Sequence, residues 1–391
     1  MIVRPFGGLE AKSTEINRIN CPPYDVVDLE EAKSFAKDSH SFMRIVRPDA
    51  IAKDGDDIYD LASKELKRFV DEGLLVRNER PVIYIYVQKT SSHTQSGIVG
   101  CVQTSDYPQK IKRHELTRKE KEEERMKHIL TTRAHTEQVF LMYRSKKEIK
   151  KLMRSDLSTH LYNFTTDKPS TIHDLYRIED QALIADIIEA FKSVDAFYIA
   201  DGHHRAAASV RVASEIGGMG EWNYFMATIF PHDELEILGY HRIIKKDIDT
   251  SKLMKSLREA NFEVTKRNGI PSIAPHIIGM YNGEWYKLRA RDVDESDPIR
   301  SLDVSILQDR VLGPLFGIKD PRTDPDIEFM GMAGPKELQK IVDAGKAKIA
   351  FYMYPTSVES VINVADSGMI MPPKSTWFEP KLRSGLVVHT F

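Results

Sequence analysis

A chain of 391 residues, 41% hydrophobic and 29% charged, is long enough to bury a large core and to divide into two domains. The formal net charge of -2 excludes non-specific nucleic-acid binding by bulk charge. No window approaches the ~20 apolar residues that a membrane span needs. The N-terminal "MIVRPFGGLEAK" carries no apolar signal core, so the expected location is the cytoplasm. The two cysteines, Cys21 and Cys101, are far apart in sequence and fit no CxxC or zinc spacing, which reads as reduced thiols buried in the core.

In chain order, residues 1–50 read as a short strand, a proline-rich loop "CPPYDVVD" and a helix "LEEAKSFAKD". Pro22 and Pro23 fix their own φ and discourage helix before them, so this loop is stiff. Residues 57–72 have helical spacing, and "PVIYIYVQKT" and "GIVGCVQTSDY" read as strands. The charged stretch that follows is expected to be helical over 113–130, giving way to the strand "QVFLMY". Helix "EDQALIADIIEAFKS" then leads to a strand over 194–200 and a helix over 205–216.

Chemistry-bearing clusters thin out beyond residue 245, which suggests domains at 1–245 and 246–391. The second part has a hairpin signal, "HIIGMYNGEWYKLRAR", with Asn282-Gly283 at an expected type I′ turn. Helices "DVSILQDRVLGPLFG", "PKELQKIVDAG" and "SVESVINVADSG" and the strand "KIAFYMYP" complete a mixed α/β pattern without repeats.

The most informative stretch is "AFYIADGHHRAAA". Gly202 permits a sharp turn between strand and helix, so the N–H groups of residues 202–205 face outward as an anion site. Arg205 can fork two donors to phosphate oxygens, His203 and His204 can donate protons or hydrogen bonds, and Asp201 can hold a metal or act as a base. The plain structural alternative is Asp201 as an N-cap with the histidines on a solvated turn.

A second constellation lies in the charged stretch. On one helix, His114, Arg118, Lys121, Arg125 and His128 form a continuous stripe that Lys112 and Arg113 extend. It reads either as a cationic wall for a polyphosphate or as a solvated face with Glu–Lys pairs. The third candidate is "CPPYDVVD", which presents Tyr24 and Asp25, followed by Arg44 and Arg47. Asp25 can orient a hydroxyl or bind Mg²⁺ through water, and an ordinary turn is the alternative. Walker A, GxGxxG and GxSxG motifs are absent.

Six segments in order, "RPFGGL", "CPPYDVV", "IKRHELTRKEKEEERMKHI", "YIADGHHRAAA", "DPRTD" and "MPPKSTWFEPKLRSGL", resemble the domain-of-unknown-function 1015 family over nearly the whole chain. That family is similar to the ParB/sulfiredoxin superfamily, whose Gly-x-[His/Arg]-Arg phosphate turn matches Gly202, His203, His204 and Arg205. The resemblance implies an α/β (mixed α+β) fold: a ParB/sulfiredoxin-like N-terminal core with a large helical insertion, plus a smaller α+β C-terminal domain.

It also implies a free L-serine kinase, with pyrophosphate or ADP/ATP as donor and Mg²⁺ as cofactor, making O-phospho-L-serine for cysteine synthesis. A nucleotide-binding switch in the ParB manner is the alternative. Sulfiredoxin chemistry needs a cysteine in the turn, which this chain lacks, and no recognition helix suggests DNA binding.

On this reading the proton-transfer candidates are Asp201 and His203, then Asp25 and Glu115, with Asp201 also the metal ligand. Phosphate contacts fall to Gly202, His203, His204, Arg205, Lys112, Arg113, His114, Arg125 and His128. Tyr24, Arg44 and Lys374 are the substrate-binding candidates, and Trp377 and Phe378 are expected to pack rather than to be exposed. A homodimer with small-molecule ligands is the expected assembly, with no membrane or nucleic-acid partner.

Overall fold

The computed structural model of the chain describes residues 1–78, 80–153, 158–167 and 169–391. They divide into one unit of Met1–Leu235 with Pro380–Phe391 and a second of Glu236–Glu379. The sequence reading instead has a single cut near 245 and leaves residues 380–391 with the second part. The strand Glu236–Leu238 pairs with Trp377–Glu379, while Val387–Thr390 pairs with Gly8–Ala11 and with Ala134–His135. Partners this distant in sequence leave no local signal, so a scan for composition shifts passes over the return of the chain.

The first unit is built on an eight-stranded sheet in the order Ile111–Lys112, Phe197–Asp201, Val139–Tyr143, Tyr224–Pro231, Thr94–Gln103, Ile83–Lys89, Ser170–Ile178, Thr159–Asp167. Phe197–Asp201 runs parallel to Ile111–Lys112, and Tyr224–Pro231 parallel to Val139–Tyr143; the other pairings are antiparallel. Val139–Tyr143 is buried throughout and Phe197–Asp201 up to its last residue, which is why both read as continuous apolar runs rather than as alternation. Helix Gln181–Phe191 adds Leu183, Ile184, Ile187 and Phe191 to the main core of this unit.

The second unit holds a six-stranded antiparallel sheet and the strand pair at its ends. Its hairpin Ile277–Tyr281 to Trp285–Ala290 forms, but the pairing of Tyr281 with Trp285 leaves three connecting residues. Of these only Gly283 has positive φ, 97°. A type I′ turn needs two such residues, so the connection is the three-residue kind with glycine in the left-handed position. In the C-terminal segment Phe378 is 1% exposed and Trp377 lies 5.3 Å from the Tyr240 ring, so these aromatics pack.

Cys21 and Cys101 are free and buried. Among the described residues no helix is long and apolar enough to cross a membrane.

Candidate functional site

The strand Phe197–Asp201 delivers its last residue through a bulge. Ile199 pairs with Leu141 and Asp201 with Phe140, leaving Ala200 as the extra residue. Bulges of this kind re-aim the side chain that follows. The helix His203–Ile216 begins at once, with Gly202 as its N-cap at φ 91° and ψ 30°. Ala206, Ala207 and Ala208 are buried, and Ala208 and Val212 pack on Ile129 of the helix Lys119–Thr132.

A Cβ at Gly202 would lie 3.0 Å from Arg205 Nε, in a backbone region that costs an L-residue about 1–2 kcal/mol. Gly202→Ala is therefore expected to lower stability by at least that amount, measured as the urea midpoint of the full chain. An unchanged midpoint would show that the turn relaxes to negative φ.

Asp201 is not the N-cap. Its Oδ1 accepts from the adjacent Gly202 N–H at 2.8 Å, and its Oδ2 lies 3.1 Å from Lys381 Nζ. Burial pushes the carboxyl up, but Lys381, Arg205 and the Gly202 N–H outweigh burial and hold it well below the usual carboxylate range. Lys381 thus stands where a metal counter-ion would. Among the described residues no group of three or more His, Cys, Asp or Glu side chains converges on a cation position, and Asp201, the expected metal ligand, has Lys381 as its neighbouring cation.

The histidines are not on a solvated turn either. His203 is 5% and His114 2% exposed, with their rings edge-on at 4.5 Å. Burial lowers His114 to about 4 and His203 well below the ordinary value, the latter pushed further by His114. Both are neutral at pH 7. His204 Nε2 accepts the Arg118 N–H at 3.1 Å, and burial lowers it too, against the pull of Asp25.

The expected cationic stripe is broken. The helix begins at Lys119 with Arg118 as N-cap, because Ile111 and Lys112 pair in register with Phe197 and Tyr198 and hold the preceding chain extended. Sheet pairing overrides helical propensity here. Lys112 Nζ sits 5.8 Å from the Tyr198 ring centre, and Arg113 Nη1 donates to Tyr107 Oη. Glu115 is half-buried beyond His114, and Lys121 pairs with Glu124 on the surface.

Arg125 and His128 do face inward. Arg125 lies 4.1 Å over the Tyr24 ring, and His128 Nε2 donates to the Ile45 carbonyl at 2.8 Å. Burial and the Arg125 charge lower His128 to about 3. These two residues line a cavity with His135, Glu137, Arg205 and Ser209. It is small and in part open to solvent.

Arg205, 7% exposed, donates from Nη1 to the Gln138 carbonyl, with Nη2 3.9 Å from Asp25 Oδ2. Burial opposes its charge, but Asp25, Glu137 and Asp201 more than offset it, so it is a firmly held cation. Tyr24 is buried and Asp25 exposed, so the "CPPYD" loop presents one to the interior and the other to the mouth of the turn.

Arg44 is spent on Glu65, at 2.7 Å, and on the Ala36 carbonyl, and is not brought to the turn by any of these bonds. Lys374 is exposed and belongs to the second unit. Its carbonyl accepts from Arg242.

Two residues that sequence reasoning missed join the site. Glu137 Oε1 accepts from the Tyr24 N–H at 3.1 Å and from Ser384 Oγ at 2.9 Å, tying the "CPPYD" loop to the C-terminal segment. Burial raises its carboxyl, against the nearby Arg205. Lys381 is the second. Its sequence signal is its place in "FEPKLRSGL", seven residues beyond the substrate-binding candidate Lys374.

A strand, a glycine turn and a buried arginine at a helix start meet at one end of the main sheet of this mixed α/β protein. Residues 3–305 match the profile of the family described as "Protein of unknown function (DUF1015)", and the chain belongs to that family. None of the curated proteins matches the sequence.

Solved structures with some likeness include a free serine kinase variant in complex with ADP, at 14% identity and TM-score 0.38, covering 72% of this chain and 87% of that one. A conserved hypothetical protein from Pyrococcus furiosus has 13% identity and TM-score 0.36 over 72% and 90% of the two chains. SbnI with a C-terminal truncation, from Staphylococcus aureus, has 11% identity and TM-score 0.39 over 73% and 85%.

Proposed function

We propose that this chain is a small-molecule kinase that transfers a phosphoryl group to the hydroxyl of free L-serine, with pyrophosphate as donor. On this reading Met1–Leu235 with Pro380–Phe391 is a ParB/sulfiredoxin-like core, acting in the cytoplasm. The observation that carries it is the pairing of the glycine turn with an exposed carboxylate: Asp25 faces Arg205 at 3.9 Å, beside the helix-start N–H groups of His203 and Arg205. Such groups neutralise charge on a transferring phosphoryl group, and most of the barrier to that transfer is lowered by positioning and electrostatics.

The roles then separate by environment. Asp201 is paired with Lys381, and His203 is buried and neutral. Asp25 is the carboxylate open to an incoming hydroxyl, and is assigned as the base. The serine oxygen forms the new P–O bond, its proton passes to Asp25, and the bridging P–O bond breaks to release orthophosphate. Mg²⁺ enters as part of the donor complex, carried by the phosphates.

Asp25→Asn is expected to lower turnover about 10²- to 10⁴-fold while the chain still binds pyrophosphate. The test pairs pyrophosphate, ADP, ATP and CTP with L-serine, threonine and homoserine, with product scored by mass. Phosphoserine from pyrophosphate alone supports the reading, and product only from ADP or ATP moves the donor to a nucleotide. No product in any pairing, with nucleotide still protecting the fold against heat, would replace the kinase with a binding switch.

A further inference from the structure

The last residues of the first unit are held with more care than a chain terminus requires. Lys381 sits on Asp201 at 3.1 Å, with the two side chains 17% and 26% exposed. Its carbonyl accepts from Gln88 Nε2 at 2.9 Å, and Gln88 Oε1 accepts from Gln95 Nε2 at 2.9 Å. Both glutamines are fully buried. Two residues on, Arg383 Nε donates to Asn20 Oδ1. Ser384 exchanges two backbone hydrogen bonds with Cys21 and donates its hydroxyl to Glu137.

We propose that Lys381 is a ligand of the donor phosphate, aimed by Asp201 and delivered to the Gly202–Arg205 turn by the C-terminal segment. The inference rests on the phosphate-turn reading above and adds a residue to it. The Lys381–Asp201 pair is mostly buried, and behind it the two buried amides pass a hydrogen bond to the Lys381 carbonyl while Gln95 Oε1 has no partner among the described residues. That relay fixes the backbone of Lys381, and so the origin of its side chain.

An ammonium group carries three donors, and Asp201 orients it beside the first residues of the turn. An anion seated on those N–H groups then meets Arg205 and Lys381 together. Two buried nitrogens of this turn, Arg205 Nε and His203 Nε2, have no hydrogen-bond partner among the described residues, as expected of a site whose acceptor is the ligand.

The test is calorimetric titration of the full chain with pyrophosphate. Lys381→Met is expected to weaken binding about 10- to 100-fold, the range for a hydrogen bond to a charged group, and Lys381→Arg to recover part of it. Thermal midpoints report folding, with Lys381→Gln as the second neutral variant.

The decisive sample is Lys381→Met combined with Asp201→Asn. Binding restored to the wild-type level would mean that Lys381 only neutralises Asp201, and the proposal fails while the turn reading survives. Binding still weakened supports the proposal, whether or not serine is phosphorylated. No pyrophosphate binding by the wild-type chain overturns the turn reading, and this inference with it.

Discussion

On the proposed kinase reading, replacing Arg205 by alanine is expected to slow phosphoryl transfer by ~10²–10³ and to destabilise the fold at the same time. The guanidinium is 7% exposed, bonded to the Gln138 carbonyl and held between Asp25 and Glu137. Removing one partner from a buried charged group costs about 3–5 kcal/mol, because the charge left behind is uncompensated. Glu137 is that charge, with Arg125 as its remaining cation. Loss of a donor to the transferring group costs a further ~10²–10³ in rate.

Arg205→Lys separates the two effects. It keeps the positive charge, and with it most of the stability, but loses the planar fork that grips two phosphate oxygens. The check is turnover, pyrophosphate affinity and urea midpoint on both variants. A folded alanine variant with an unaffected rate would remove the phosphate role of the turn.

Acid is expected to unfold this protein well above the range in which its carboxylates protonate. Burial lowers His114 to about 4, and His128 and His173 to about 3, in the first unit. In the second, burial and Arg242 lower His241 to about 4. The unfolded chain takes up these protons near pH 6.5 while the folded chain resists. Stability is therefore fully present above about pH 6.5 and is lost as pH falls toward the folded values.

At pH 5 each such group has withdrawn about 2 kcal/mol by this linkage. Three in one unit approach the whole stability of a typical domain, about 5–15 kcal/mol. Glu137 works in the opposite sense, as does Asp303 in the second unit, since a raised carboxyl favours the folded state as it protonates, but these are two groups against four. Thermal midpoints between pH 8 and pH 5 test this. His128→Gln, whose amide can still donate to Ile45, is expected to flatten the slope by one proton, about 1.4 kcal/mol per pH unit. A flat profile over that range would mean that these rings are solvated in the native state.

Much of the local structure was legible in the sequence because it is set by neighbours along the chain. The apolar run at 197–200 and the alanines at 206–208 announced a buried strand and a close-packed helix. Gly202 between them announced the left-handed turn, since few other residues reach φ 91° without strain. The proline loop, the helices at 58–71 and 181–191 and the family resemblance were equally readable from local pattern.

What the sequence could not reveal depends on pairing between distant segments. The charged stretch has helical spacing from 113, but two residues of sheet pairing with Phe197 and Tyr198 put the helix start at 119. That shift turned an apparent stripe into separate roles: His114 against His203, Arg125 over Tyr24, His128 on a carbonyl. Lys381 meets Asp201 across 180 positions, and Glu137 meets Ser384 across 247.

Residue types and turn chemistry alone determined the glycine turn between strand and helix, because φ and helix-start N–H groups are local properties. Which charges face that turn, and which histidines stay neutral beside it, was decided only in the folded chain. Burial and Coulomb interaction act through space and have no memory of sequence distance.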